Sequence, residues 1–64
     1  MKFVEVEAID GIIFVVQPEK VDYIQIFQDD ENGKRFKFYF NNSELNWILV
    51  KEHRAKELLR SLGL

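Results

Sequence analysis

The sequence predicts an α+β fold: a small antiparallel sheet of four to five strands followed by one C-terminal helix. Apolar and polar residues alternate along several short segments, as expected for strands with one buried face. The dipeptides Asp10-Gly11 and Asn32-Gly33 are typical of tight hairpin turns. Near the C-terminus, apolar residues recur at helical spacing and end before Gly63, a natural helix stop. The chain has 64 residues, so we expect a single α+β domain over residues 1–64.

The first two predicted strands form a hairpin. Residues 3–9 alternate in polarity, and residues 12–17 form the second strand, which ends at Pro18 because proline has no backbone N–H. Both central residues of a type I′ turn have positive φ, which suits Asp10-Gly11. This two-residue turn predicts the pairs Ile9 with Ile12, Glu7 with Phe14, and Val6 with Val15.

The third and fourth predicted strands cover residues 21–28 and 35–40 and are joined through Asn32-Gly33. A two-residue turn there predicts the pairs Glu31 with Lys34, Asp30 with Arg35, and Phe27 with Phe38. On the third strand, alternation puts Ile24 and Ile26 on one face and Tyr23 and Phe27 on the other. On the fourth, it puts Phe36, Phe38 and Phe40 on one face.

Residues 45–51 are open to two interpretations. Ser43 could cap one long helix that continues to Leu62, but that helix would set Glu52 and Lys56 within its apolar face and turn Trp47 outward. Alternatively, residues 47–50 form a fifth strand, connected to the fourth through residues 41–46, and a short helix begins near residue 52. We favour the fifth strand.

Composition predicts a soluble cytoplasmic protein that needs no cofactor. The chain has no cysteine, which excludes disulfides and thiolate metal sites, and small secreted domains usually need such cross-links. The longest apolar run, residues 12–16, is far shorter than the roughly 20 residues that cross a bilayer. Glu5 stands where a signal peptide requires an apolar stretch. We therefore expect no membrane association.

Charge is unevenly distributed along the chain. Residues 1–33 hold two basic residues against eight acidic ones, whereas residues 34–64 hold seven basic residues against three acidic ones. The net charge of the whole chain is −2. This asymmetry indicates either a basic binding face or complementary halves that meet within or between subunits. We favour neutralisation within the fold.

No catalytic or metal site is predicted, so we expect the protein not to be an enzyme. His53 lies between Glu52 and Arg54, in a charged stretch typical of a solvated helix surface. The three glycines are scattered and form no phosphate-binding loop. The acidic segment 29–33 lacks the ligand spacing of a calcium loop.

The segment 34–40 alternates basic and aromatic residues, a combination that suits single-stranded nucleic acid. It resembles the RNP1 pattern of RNA-recognition motifs, although Arg35 and Lys37 replace small residues and the helix between the first two strands of that fold is missing. The competing interpretation makes the phenylalanines core and the basic residues a solvated face. A nucleic-acid-binding regulator is therefore the alternative function. Its candidate residues are Lys34, Arg35, Lys37 and Tyr39.

The order of elements also resembles a known family. A hairpin, the segment 17–24, a turn, and the segment 48–52 leading into a short amphipathic helix are similar to the small flagellar FlbD-type (swarming motility) proteins, over residues 9–62. The chain departs from that pattern at residues 41–44, where the family has a glycine in the turn. The resemblance implies the fifth strand and carries over no functional residue.

The predicted helix is too narrow to cover the predicted sheet. A five-stranded sheet is about 24 Å wide, whereas one helix is about 10 Å in diameter. Because both faces of the second to fourth strands hold apolar residues, something else must cover the second face. We therefore predict a small non-enzymatic protein-interaction module whose partner is itself, as a homo-oligomer, or another protein. Nucleic acid is the less favoured partner. The candidate interface residues are Phe14, Phe27, Phe36, Phe38 and Trp47.

Overall fold

The computed structural model describes residues 2–29, 31, 33–41 and 46–64, and it confirms the α+β class. Five strands, a short 3₁₀ helix (Pro18–Lys20) and one α-helix occur in this part of the chain. The strand interpretation of residues 47–50 is also confirmed, and the helix begins at residue 52. The elements are β1 (Val4–Glu7), β2 (Ile13–Val16), β3 (Val21–Asp29), β4 (Gly33–Phe40), β5 (Trp47–Lys51) and α1 (Glu52–Ser61).

The five strands divide between two antiparallel sheets. β1 and β2 form a two-stranded sheet, and β3, β4 and β5 form a three-stranded sheet with β4 in the centre. The 3₁₀ helix separates the sheets in sequence, because Pro18 stops β2 from continuing. One backbone hydrogen bond, from Ile9 N–H to the Leu49 carbonyl at 2.8 Å, links the first hairpin to β5.

The first hairpin closes with a three-residue loop, so its predicted register and type I′ turn were wrong. Ala8 N–H donates to the Ile12 carbonyl (2.8 Å), and Gly11 N–H donates back to the Ala8 carbonyl (2.9 Å). Gly11 has φ +89°, whereas Asp10 is not among the positive-φ residues. This is the three-residue hairpin in which glycine follows a turn as a bulge. Pairing is shifted by one residue from the prediction: Val4 with Val16, Glu5 with Val15, Val6 with Phe14, and Glu7 with Ile13.

The second hairpin pairs Asp29 with Gly33, which moves its register three residues from the prediction. The predicted pair of Phe27 and Phe38 was wrong: Arg35 lies opposite Phe27. Gly33 has φ +79°, as a tight connection requires, but three residues rather than two separate the strands. Asp30 and Asn32, which entered the predicted pairs and turn, lie outside the described residues. The remaining pairs are Gln28 with Lys34, Ile26 with Phe36, Gln25 with Lys37, Ile24 with Phe38, and Tyr23 with Tyr39.

The core lies between the two sheets and the helix. Phe36, Phe38 and Phe40 share one buried face, as predicted from alternation. α1 packs against β1, β4 and β5, and Ala55 and Leu58 are its fully buried residues. The helix follows Lys51 directly, without a side-chain cap; Ser43, the predicted cap of the longer helix, lies outside the described residues. The remaining buried apolar residues are Val4, Val6, Ala8, Val16, Ile48 and Val50.

Replacing Gly33 by alanine is expected to lower the free energy of unfolding more than the same change at Gly11. Positive φ costs alanine on the order of 1 kcal/mol at both positions. A Cβ at Gly33 would also lie 2.9 Å from Oε1 of Glu52, which accepts a hydrogen bond from Lys34 N–H; at Gly11 it meets nothing within 4 Å. Urea denaturation measures both costs. In a Glu52→Ala background the difference should shrink, and equal costs in the wild-type background would contradict this contact.

Candidate interaction surface

One face of the three-stranded sheet points away from the core. Side chains alternate between faces along a strand, and paired residues on neighbouring strands share a face. The face opposite Phe36 and Phe38 is therefore built of three rows that cross β3, β4 and β5. We call these nine residues the open face. The rows are Tyr23–Tyr39–Trp47, Gln25–Lys37–Leu49 and Phe27–Arg35–Lys51.

The first row contains a stacked aromatic pair. The rings of Tyr23 and Tyr39 lie 4.3 Å apart between centroids, with an interplanar angle of 15°. The Tyr39 hydroxyl donates a hydrogen bond of 2.7 Å to Oε1 of Gln25, which ties the first row to the second. Each tyrosine thus has one ring face in contact with the other tyrosine, and that face is closed to an external ligand.

Lys37 lies between two aromatic rings of this face. Its Nζ is 4.1 Å from the centre of the Trp47 ring and 5.1 Å from the centre of the Tyr39 ring. Both distances fall within the range of cation–π attraction. The ammonium group therefore covers part of the indole that would otherwise be presented to solvent.

The open face is cationic and partly apolar. Among its nine residues, Arg35, Lys37 and Lys51 are basic and none is acidic, although the protein as a whole carries a net charge of −2. Tyr23 and Trp47 are 54% and 48% exposed. A shallow depression of about 140 Å³ is lined by residues of all three rows: Phe27, Arg35, Lys37, Trp47 and Leu49. Pockets for small molecules usually measure about 300–1,000 Å³, so this surface suits a macromolecule better than a small ligand.

Only two of the five predicted interface residues share the open face. Phe27 and Trp47 lie there, but Phe36 and Phe38 are 7% and 0% exposed and belong to the core, which corrects their assignment to an interface. The physical reason is the register of β3 and β4, which places them opposite Ile26 and Ile24 on the side of the helix. Phe14 packs against the core from the other sheet and is partly buried.

Three of the four predicted nucleic-acid residues come together. Arg35, Lys37 and Tyr39 are on the open face, whereas Lys34 is on the opposite side of β4 by alternation. Sequence reasoning missed four members of this face: Tyr23, Gln25, Leu49 and Lys51. Alternation within each strand was visible in the sequence, but combining them into rows required the true pairing of the strands.

The outer edge of β3 forms a second exposed feature. β3 pairs with β4 on one side, and the described part of the chain supplies no strand on the other. Ile26, on the helix side of β3, is 60% exposed, because α1 packs against β1, β4 and β5. Phe27, on the open face, is 39% exposed. Apolar side chains are thus exposed on both faces of this strand.

The groove between β1 and α1 is lined mainly by charged side chains. It measures about 520 Å³ and includes His53, which is exposed on the helix. Glu7 and Arg54 form an ion pair of 3.6 Å in which the side chains are 38% and 54% exposed. Such pairs contribute little to stability. Within the residues that the structure describes, no group of three or more His, Asp or Glu residues could hold a metal ion.

The described residues include no helix that is both long and apolar enough to cross a membrane. Comparison of the chain with protein-family models, curated proteins and solved structures finds no match. The resemblance to FlbD-type proteins therefore stays a prediction, and the functional argument rests on the open face and the edge of β3.

Lys37 and Trp47 are expected to be coupled energetically. In a double-mutant cycle with Lys37→Met and Trp47→Leu, unfolding free energies should yield a coupling of about 0.5–1 kcal/mol from the cation–π contact. Lys34→Met in place of Lys37→Met provides the control, since Lys34 lies on the other face. Equal coupling in both cycles would show that the ammonium does not interact with the indole.

Proposed function

We propose that this protein is a small non-enzymatic protein-interaction module that associates with a second copy of itself. The observation that carries the proposal is the exposure of β3. Ile26 projects from one of its faces, Tyr23 and Phe27 from the other, and its outer edge has no strand beside it among the described residues.

Exposed apolar area of this kind favours association. Soluble monomers rarely leave contiguous apolar patches larger than a few hundred Å² in contact with water. The helix packs mainly against β1, β4 and β5, and no described element covers Ile26 on β3. A second copy of the chain could supply an element that covers β3. Closed homo-oligomers are the commonest assemblies of soluble proteins.

The absence of enzymatic activity is part of the proposal. A general base requires an orienting partner and a concave site around the reacting group. His53 is exposed on α1, in a groove whose other charged groups are solvated lysine, arginine and glutamate side chains. The open face is shallow and lacks both histidine and carboxylate. These features support binding rather than chemistry.

The open face also indicates the chemistry of any further protein partner. Its three cations would meet carboxylates, and its exposed tyrosine and tryptophan side chains are among the residues that most often dominate binding energy at interfaces. A partner of this kind would present an acidic surface with apolar residues among the acids. Self-association through the edge of β3 is compatible with such a partner, because Trp47 and the three cations lie on β4 and β5.

Light scattering tests self-association directly. We expect a concentration-dependent mass above the 7.7 kDa of one chain for the wild type. Phe27→Ser should weaken association because it removes exposed apolar area from β3, whereas Ile12→Ser, at the exposed end of the first hairpin, should not. A wild-type protein that remains strictly monomeric at millimolar concentration would refute the proposal.

A second candidate function is binding of single-stranded nucleic acid, favoured by the three cations and four aromatic rings on the open face. Base stacking requires accessible ring faces. Here Tyr23 and Tyr39 occupy a ring face of each other, and Lys37 lies over Trp47. This arrangement weakens the case for nucleic acid, and we keep the protein-interaction module as the first proposal.

Titration with single-stranded RNA at low salt is therefore expected to show no detectable binding. Binding that falls steeply as salt rises would contradict this expectation and indicate phosphate contacts. In that event Arg35→Gln with Lys37→Gln should abolish binding, whereas the control pair Lys34→Gln with Lys56→Gln, which lies off the open face, should leave it unchanged. Loss in both double variants would indicate attraction to net charge alone.

A further inference from the structure

β3 has an outer edge with only part of the usual protection, namely an aspartate and an irregularity near its start. Natural proteins blunt such edges with lysine, proline, bulges or very short strands. Residues Val21–Asp29 make β3 the longest strand, with nine residues, and include no lysine, proline or glycine. Its one irregularity lies at the start, between Val21 and Tyr23. The other end of the same sheet is different, because the Ile9 N–H already bonds to β5 there.

The sequence of β3 is nearly palindromic about Gln25. Ile24 and Ile26 flank it, then the aromatic residues Tyr23 and Phe27, then the polar residues Asp22 and Gln28. A strand that reads alike in both directions presents the same side chains to an antiparallel copy of itself. The two-fold symmetry of a dimer requires this kind of self-complementarity.

We infer that two copies pair through the outer edges of β3, antiparallel, with the two-fold axis at Gln25, to form one six-stranded sheet. This inference rests on the proposed self-association and specifies its geometry. Successive residues of a strand direct their backbone N–H and C=O groups alternately to the two sides. Two β3 edges therefore pair only in every second register, and the register centred on Gln25 is the one that overlaps the whole strand.

On the helix side of the sheet, this register places isoleucine opposite isoleucine. Ile24 lies opposite Ile26 of the second copy, and within each copy these residues already pair with Phe38 and Phe36. The apolar layer thus continues across the dimer axis. The exposed side chain of Ile26, which the helix leaves uncovered, gains an apolar neighbour.

The same register extends the first and third rows of the open face. Tyr23 lies opposite Phe27 of the second copy, which forms an aromatic cross-strand pair on each side of the axis. Asp22 lies opposite Gln28, so the pairing places no like charges against each other over residues 22–28. The three cations of each open face remain outside the contact, available to another partner.

Charge argues against the competing mode, in which two open faces stack on each other. Arg35, Lys37 and Lys51 of one copy would then meet the same three cations of the other, without a carboxylate among the nine residues of either face. Like charges brought together at an interface oppose association. Edge pairing avoids this repulsion.

A lysine placed at the edge tests the geometry against a matched control. Ile26 on β3 and Ile13 on β2 are both 60% exposed. Ile26→Lys and Ile13→Lys therefore replace equally exposed isoleucine side chains on two different strands. Sedimentation should show the dissociation constant raised at least about tenfold for Ile26→Lys and unchanged for Ile13→Lys. Circular dichroism of both variants confirms that they fold.

A cysteine at the axis tests the register independently of any loss of affinity. The chain has no cysteine, so Gln25→Cys introduces a single thiol. Residues directly opposite in an antiparallel pair have Cα atoms about 4.5–5.5 Å apart. A short bifunctional maleimide should therefore cross-link Gln25→Cys into a covalent dimer. The same reagent should form no covalent dimer of Lys51→Cys, because residue 51 lies on the far strand of the sheet.

The outcomes separate this inference from the proposal on which it rests. A wild type that associates, survives Ile26→Lys and fails to cross-link at residue 25 would overturn edge pairing and leave self-association standing. Preferential cross-linking at residue 51 would indicate stacked open faces, and dissociation by Ile13→Lys alone would indicate an interface on the first hairpin; either result overturns the inference. A strictly monomeric wild type overturns both proposals.

Discussion

The register between β3 and β4 is the constraint on which the rest of the structure depends. Because side chains alternate with a period of two, a slip of one residue would send every side chain of a strand to the other face. Pairing Asp29 with Gly33 sets Ile24 and Ile26 beside the phenylalanines of the core. The same pairing aligns Tyr23 with Tyr39 and Phe27 with Arg35. The connection between β3 and β4, in which Gly33 has positive φ, therefore determines the composition of both the core and the open face.

One face of this hairpin stays uncovered in the part of the chain that the structure describes. A domain of about 60 residues buries only about 60% of the surface that its unfolded chain exposes. Here one helix and one two-stranded sheet cover a single face of β3, β4 and β5, and the helix does not extend over β3. The uncovered aromatic side chains then contact one another and Lys37 rather than a second layer. The geometry of the open face is thus set by contacts within a single layer of side chains.

The sequence predicted the elements well and their pairing poorly. Residues 47–50 were identified as a strand because a helix there would have buried charge within its apolar face, and both glycines were placed at positive φ. The registers were wrong because Asp-Gly and Asn-Gly indicate a turn without fixing its length. Gly11 is the last residue of a three-residue loop, whereas Gly33 already pairs with Asp29. Face membership within a strand was therefore predictable, whereas neighbours across strands were not. Phe36 and Phe38 were assigned to an interface for this reason, although alternation correctly put them on one face with Phe40.

The outer edge of β3 reflects both this register and the limited cover of the sheet. An edge strand is tolerated when it is short, charged or covered, and β3 is long, with apolar side chains exposed on both faces. Sheet extension would satisfy its backbone groups without adding residues to the chain, and would give a thin core a wider apolar layer. Stability would then depend on protein concentration, because association stabilises the folded state by mass action. In such a protein, the nine residues of β3 serve both folding and self-recognition. Substitutions on its outer edge would weaken the assembly more than they destabilise the fold.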